Sequence, residues 1–508
     1  MDKVAGRHLE RIARGGSLSV AGAGVSAVAG FLVVVVITNG FSKDDAGALF
    51  SASSLFLLVL SVAGLGIAVG LGRYMMKYIV EERWAFARAC LRNTALVTTV
   101  IGIVSGVGLY VLAEPVAVLT GLSDQSGAAV MRVLAIALPF GAIANWALSA
   151  TRAMSNIRQT VLIEKAFRSL LQVALVALCV VTAVGIVELT WAWVLPTILS
   201  APLAVIGLRS LSRRVLPPAE PGEQAPGAVR EFWGFTWPRS IAQVSQMVIQ
   251  RADIIIIGAL ISPAAAAIYT AATRFVPLGQ LGVQAVQQVI QPRFTQLLAT
   301  GHLQALGVVF KTTTAWNVAM AWPIYFVIGG LPGLYLTMFG DGFDADGVAV
   351  VVVMMLAMLV GVGSGPVDTL LLMSGKSSLS LINSLVALAL NLVLNFTLIP
   401  VIGILGAAVA WWVAITVRSI MGYFQVRSYL QISPLSKASA FAAGASAVCF
   451  LLPLGALTLL GWASFWPAFG TGAVGLAAYL GLLWWQRDLL QLRALRSLIP
   501  SRMRARRS

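Results

Sequence analysis

The chain has 508 residues, 59% of them hydrophobic and only 11% charged, which is more apolar surface than a soluble core buries. A soluble protein is excluded and an integral membrane protein indicated. The formal charge of +16 suggests a nucleic-acid partner only until its carriers are placed, because the basic residues cluster in alternate loops, as membrane topology requires.

A bilayer-spanning helix needs roughly 20 mainly apolar residues. About fourteen such segments follow one another, at 17–38, 46–71, 93–112, 128–150, 161–184, 187–208, 233–261, 264–288, 313–336, 348–372, 379–399, 403–421, 438–460 and 465–485. Ahead of the first stand Lys3, Arg7, Arg11 and Arg14. This start superficially resembles a secretory signal, but its apolar run is too long and the membrane pattern continues at once, so it reads as an uncleaved first helix. The same side of the membrane receives Arg73, Lys77, Arg83, Arg88 and Arg92, then Arg152 and Arg158, then Arg209, Arg213, Arg214 and Arg230. Lys311, Lys376, Arg427, Lys437 and the tail residues Arg502, Arg504, Arg506 and Arg507 continue the series. The opposite side holds Lys43, with Arg132 just inside a span. The positive-inside rule then puts both termini in the cytoplasm and makes the number of spans even. Cys90, Cys179 and Cys449 have no metal or redox spacing. His8 and His302 both fall in cytoplasmic segments, so neither metal nor cofactor is expected.

After the sixth span comes a polar stretch rich in Pro, Gly and Glu, 209–232, read as a cytoplasmic linker. A shift of 219 residues superposes spans one to six on spans seven to twelve: Ala48 falls on Ala267, Phe50 on Tyr269, Gly121 on Gly340, Met154 and Ser155 on Met373 and Ser374, and Trp193 on Trp412. Six spans per copy preserve orientation. The expected architecture is an all-α polytopic membrane protein of two six-helix lobes, 1–208 and 233–427, related by a pseudo-two-fold axis along the membrane normal, with two additional helices and a basic tail in 428–508.

The polarity gathers in spans seven and eight. Arg239, Gln243, Gln246, Gln250 and Asp253 are spaced as one face of a helix, and Tyr269, Thr273, Gln280, Gln284, Gln287 and Gln291 draw a second stripe. The first-lobe equivalents of the first stripe are Val20, Gly24, Ala27, Phe31 and Val34, so only the second copy carries it. Arg251, Asp253 and Arg274 must be paired or wet, since an unpaired charge in a bilayer costs several kcal/mol. Asp253 and Arg274 stand at similar depths and are candidates for an ion pair, although Arg251 and Arg274 point off the glutamine stripes. The same residues also suit a purely structural role as interhelical hydrogen bonds and a buried ion pair. Asn391 and Asn395 share a face of span eleven with Ser384, whereas Asn383 lies farther round the helix. Asp368 follows Pro366 and the glycines of GVGSGP, where a broken or bent helix is expected. Lys165, with Glu164 and Arg168, marks either a cavity or the wet end of its span, and Arg73 and Arg293 read as positive-inside anchors. There is no G-x-S-x-G, H-E-x-x-H, P-loop or paired-carboxylate site, so no enzyme is expected.

Arg251-Ala252-Asp253 before a run of isoleucines, Tyr269 in the next helix, and Gln291-Pro292-Arg293-Phe294 closing it make the chain resemble the polysaccharide transporters of the multidrug/oligosaccharidyl-lipid/polysaccharide exporter superfamily. The resemblance spans essentially the whole chain. It implies a flippase of a bacterial cell membrane that moves an undecaprenyl-(pyro)phosphate-linked saccharide to the outer leaflet by alternating access, alongside polysaccharide assembly enzymes. Glutamines and asparagines suit sugar hydroxyls, and Arg251 or Arg274 suits the phosphate. Asp253 is either a counter-ion or a coupling site for H⁺ or Na⁺, with Asp368 a second coupling candidate. Lipid II flippases of the superfamily are similar in span number but place arginines in their opening helices, and 20–36 contains none. A cation-coupled drug antiporter is the reading from a different class, with Asp253 and Asp368 as its acids.

Overall fold

The computed structural model describes residues 2–122, 125–218 and 225–491, and among these it is helical throughout, with no strand. The tail arginines Arg502, Arg504, Arg506 and Arg507 and the middle of the expected linker, 219–224, lie outside the described residues. The first ten helices are α1 (Asp2–Gly40), α2 (Lys43–Gly64), α3 (Ile67–Val80), α4 (Trp84–Val111), α5 (Ala113–Leu119), α6 (Gln125–Ala153), α7 (Ile157–Thr182), α8 (Ile186–Val215), α9 (Ala228–Leu260) and α10 (Pro263–Thr273). Then come α11 (Val276–Ala299), α12 (Leu303–Gly330), α13 (Pro332–Thr337), α14 (Asp344–Gly363), α15 (Val367–Met373), α16 (Ser377–Ile402), α17 (Ile404–Leu430), α18 (Lys437–Leu459) and α19 (Phe465–Trp485).

Among the described residues, eleven helical segments are long and apolar enough to cross a membrane, and they coincide with eleven of the expected fourteen. The other three expected segments, 233–261, 264–288 and 313–336, are helical for most of their length. Two of these carry the glutamine stripes. Breaks within spans have local causes. Leu65 and Gly66 both take positive φ, 38° and 62°, and separate α2 from α3. Pro277 has no N–H for the carbonyl four residues back, so the eighth expected span is interrupted at Arg274–Phe275. The bend expected near Asp368 falls at Ser364–Pro366, between α14 and α15. These breaks do not recur at the 219-residue shift.

The chain packs as two compact units. In the unit Ala21–Thr270, α6 is central and packs on α2, α3, α4 and α8. Phe56, Leu60, Met131, Leu134, Leu138 and Val194 fill one core cluster. Tyr74, Met75, Tyr78, Cys90, Leu148, Leu208 and Phe232 fill a second. Helix α9, which the sequence assigns to the start of the second lobe, packs within this unit against α2, α3 and α4. In the unit containing Ala271–Ser508, α12 lies against α11, α14 and α18, while α16 and α17 form a long antiparallel hairpin. Its core includes Phe294, Leu306, Phe310, Leu370 and Val426. Large apolar side chains face outward, among them Val181 at 83% and Leu459 at 90% exposure, as expected where lipid is the solvent.

Candidate functional site

In the first unit, α9 carries its stripe as the spacing requires. Its buried face is made by Thr236, Ser240, Ser245, Ile249 and Ala252, which leaves Gln243 and Gln250 exposed and Arg239 and Gln246 half-buried. The Arg239 guanidinium lies over the Phe235 ring, 4.5 Å from its centroid. The accessible stripe ends at Gln250. Asp253 turns into the core, 3% exposed, where its Oδ2 accepts a 2.9 Å hydrogen bond from the Tyr269 hydroxyl on α10, itself 3% exposed. Arg251 stands between these regimes: it is half-buried, and its Nε is buried without a hydrogen-bond partner among the described residues.

The sequence left Lys165 open between a cavity residue and a wet helix end. It lies in a π-helical stretch of α7, Thr160–Arg168, where Glu164 pairs with Arg152 at 3.0 Å and with Lys165 at 3.2 Å. One carboxylate thus bridges a cation of its own helix and one of α6 and offsets part of their charge.

In the second unit, Arg274 is half-buried in the turn between α10 and α11. Gln280 donates to Met358 Sδ at 3.7 Å, Gln284 and Gln291 are exposed, and Gln287 is half-buried. The opposite face of α11 is packed so closely that a Cβ at Gly279 would lie 2.2 Å from Tyr325 Cζ. Arg293 is exposed and donates to Gln296 Oε1 at 2.7 Å. Asn391 and Asn395 are both fully buried on α16, and neither Nδ2 nor Oδ1 of Asn391 has a hydrogen-bond partner among the described residues. A buried amide left unpaired costs about 1–3 kcal/mol.

Two partners in this unit were not found from spacing. Asp368 at the start of α15 is held by Arg418 of α17, Nη2 to Oδ2 2.5 Å. The signal for Arg418 was a lone arginine inside the expected span 403–421, but nothing in the spacing pairs it with an acid 50 residues earlier. Asn383, the weak member of the α16 face, forms a reciprocal amide pair with Gln425, 2.8 Å in each direction. Replacing either amide with leucine leaves the other buried donor and acceptor unmatched, so Asn383→Leu or Gln425→Leu is expected to destabilise by about 2 kcal/mol. The double variant should recover about half of that loss in a thermal-melt double-mutant cycle; strict additivity would show that the pair contributes no coupling.

The amide rows on α9 and on α11 each present donors and acceptors, and no group of His, Cys, Asp and Glu that could hold a metal occurs among the described residues. Amide side chains offer both hydrogen-bond donors and acceptors. Residues 12–298 match the family model described as polysaccharide biosynthesis protein, more than half of the chain. The chain belongs to the polysaccharide biosynthesis protein family. Its fold is shared with transporters of the multidrug/oligosaccharidyl-lipid/polysaccharide exporter superfamily. The lipid II flippase MurJ in an inward closed conformation superposes with TM-score 0.72 at 14% identity, covering 92% of this chain and 98% of that one. An inward-facing multidrug resistance MATE family transporter superposes with TM-score 0.64 at 12% identity, covering 80% and 94%. The MATE multidrug transporter DinF-BH in complex with R6G gives TM-score 0.60 at 16% identity, covering 83% and 95%. At these identities the likeness is one of fold. No curated protein sequence matches the chain.

Proposed function

We propose that this protein is a flippase that moves a prenyl-(pyro)phosphate-linked oligosaccharide or polysaccharide precursor from the cytoplasmic to the outer leaflet of a bacterial cell membrane. The observation that carries the reading is the accessible row of amides on α9, in a member of a polysaccharide biosynthesis family with a transporter fold. Gln243, Gln246 and Gln250, with Gln280, Gln284, Gln287 and Gln291, meet saccharide hydroxyls, and Asn391 and Asn395 join them when α16 moves. Arg251 or Arg274 meets the phosphate. Asp253 serves as counter-ion or as the site that couples transport to H⁺ or Na⁺. In this reading the linker 209–232 joins two six-helix lobes and α9 opens the second of them. Its contacts with α2 and α3 are then ones that alternating access breaks and remakes.

A cation-coupled multidrug antiporter is the second reading, favoured by the MATE likeness and by Asp253 and Asp368. Against it, Asp368 is engaged by Arg418 and Asp253 by Tyr269, so neither carboxylate stands open to an organic cation. Proteoliposomes decide between them: fluorescent prenyl-linked oligosaccharide should cross leaflets at a rate set by protein content, with no efflux of an organic cation. Cation efflux without flipping would overturn the proposal.

A further inference from the structure

Two arginines share one aromatic ring in the unit Ala21–Thr270. Arg73, midway along α3, lies 4.2 Å from the Phe235 centroid, and Arg239 on α9 lies 4.5 Å from the same centroid. Two cations on one ring disfavour each other's charge, and an anion or carboxylate beside them relieves that repulsion. Neither arginine has a carboxylate or hydrogen-bond partner among the described residues. The acid of this region is already used: Glu231, one turn before Phe235, binds Lys77 at 2.8 Å and accepts from the Tyr78 hydroxyl at 3.0 Å.

The arrangement is closely packed, so it is more than two surface side chains meeting by chance. Helices α3 and α9 run antiparallel and touch at two glycines. A Cβ at Gly70 would lie 2.3 Å from Thr236 Oγ1, and one at Gly66 2.9 Å from Ser240 Oγ, which also donates to the Leu65 carbonyl at 2.5 Å. These contacts set the register. Lys77 then meets Glu231, and Arg73 and Arg239 converge on Phe235. Tyr74, edge-on to Phe235 at 5.8 Å, and Phe232 beyond it wall the ring on its inner side. Arg73 is exposed and Arg239 half-buried, so both guanidiniums can be reached.

We propose that Arg73 and Arg239 form a clamp for a lipid-borne phosphate or pyrophosphate at the cytoplasmic end of α9, where the accessible glutamine row begins. The assignment rests on the transport reading above and adds its entry station. Guanidinium forks braced on a ring face match phosphate oxygens in geometry and leave their N–H groups free to donate. A phosphate held there places the attached saccharide beside Gln243, one turn further along α9.

The test uses the full-length protein in phosphatidylcholine nanodiscs titrated with farnesyl pyrophosphate. Arg73→Gln and Arg239→Gln should each weaken binding about tenfold and the double variant about fiftyfold, the range for losing charge-assisted hydrogen bonds. Phe235→Leu, which keeps both charges, should weaken it about threefold. Arg158→Gln removes an exposed cation from the same side of the membrane and should leave it unchanged. Nanodiscs containing phosphatidylglycerol identify the source of the phosphate by native mass spectrometry. Loss of prenyl pyrophosphate binding in the double variant supports the clamp and assigns it to substrate. Loss of retained phosphatidylglycerol alone supports it as a headgroup site of the bilayer. Unchanged binding of both, or an equal loss in Arg158→Gln, overturns it. Binding is read without transport, so a wild-type protein that binds through these arginines but does not flip would sink the flippase reading and leave the clamp standing.

Discussion

Cells whose only copy carries Asp253→Asn should export saccharide about 100-fold less than wild type, a loss equivalent to about 2.7 kcal/mol at the limiting barrier. Asparagine matches aspartate in volume and can still accept from the Tyr269 hydroxyl, so the substitution removes the charge and keeps that bond. The purified variant should therefore melt within a few degrees of wild type. Tyr269→Phe is the complementary change. It keeps the carboxylate and deletes one donor to it, which should cost about 2 kcal/mol of stability while transport falls far less. A structural role for the pair predicts the opposite order, with Tyr269→Phe and Asp253→Asn equally impaired and both traced to unfolding. Arg274→Gln belongs to the same series under the proposed phosphate or counter-ion role. Normal export by both Asp253→Asn and Arg274→Gln would remove this part of the site.

Among the described glycines, Gly47→Ala is expected to be the most damaging. The added Cβ would lie 1.6 Å from the Pro263 carbonyl oxygen, a backbone atom at the N-terminus of α10 that no rotamer change can move aside. Helices α2 and α10 would have to separate. Overpacking of this kind costs about 3 kcal/mol or more, and folded protein should be nearly absent from the membrane fraction. The control lies in the same helix: a Cβ at Gly64 meets nothing within 4 Å, so Gly64→Ala should accumulate normally. Normal yields of detergent-stable Gly47→Ala protein would show that the two helices are not held at this separation.

Much of the fold was legible because lipid imposes a simple rule. Every backbone polar group must be satisfied inside its own segment, so long apolar runs can only be helices, and eleven of the expected spans coincide with helices long and apolar enough to cross. The α9 stripe was legible for the same reason: Gln243 and Gln250 are accessible because the spacing that aligns them puts Ser245, Ile249 and Ala252 on the buried side. Asp253 continues that spacing, yet it is buried. Periodicity reports direction round a helix and is silent about what another helix places there; here α10 brings Tyr269 across to it.

Composition and periodicity alone therefore determined the membrane class, the helical fold and the accessible amide row. These properties depend on one helix at a time. What needed the tertiary structure were the partnerships: Asp368 with Arg418, Asn383 with Gln425, and Arg73 with Arg239 across one ring. Each joins residues from different helices, and their meeting is set by where side chains as small as hydrogen let two backbones approach, as at Gly66 and Gly70. The positive-inside rule read Arg73 as one more cytoplasmic anchor, since it counts charges by loop. Only the packing of α3 on α9 shows that this arginine shares the Phe235 ring with another, with the nearby acid already committed to Lys77.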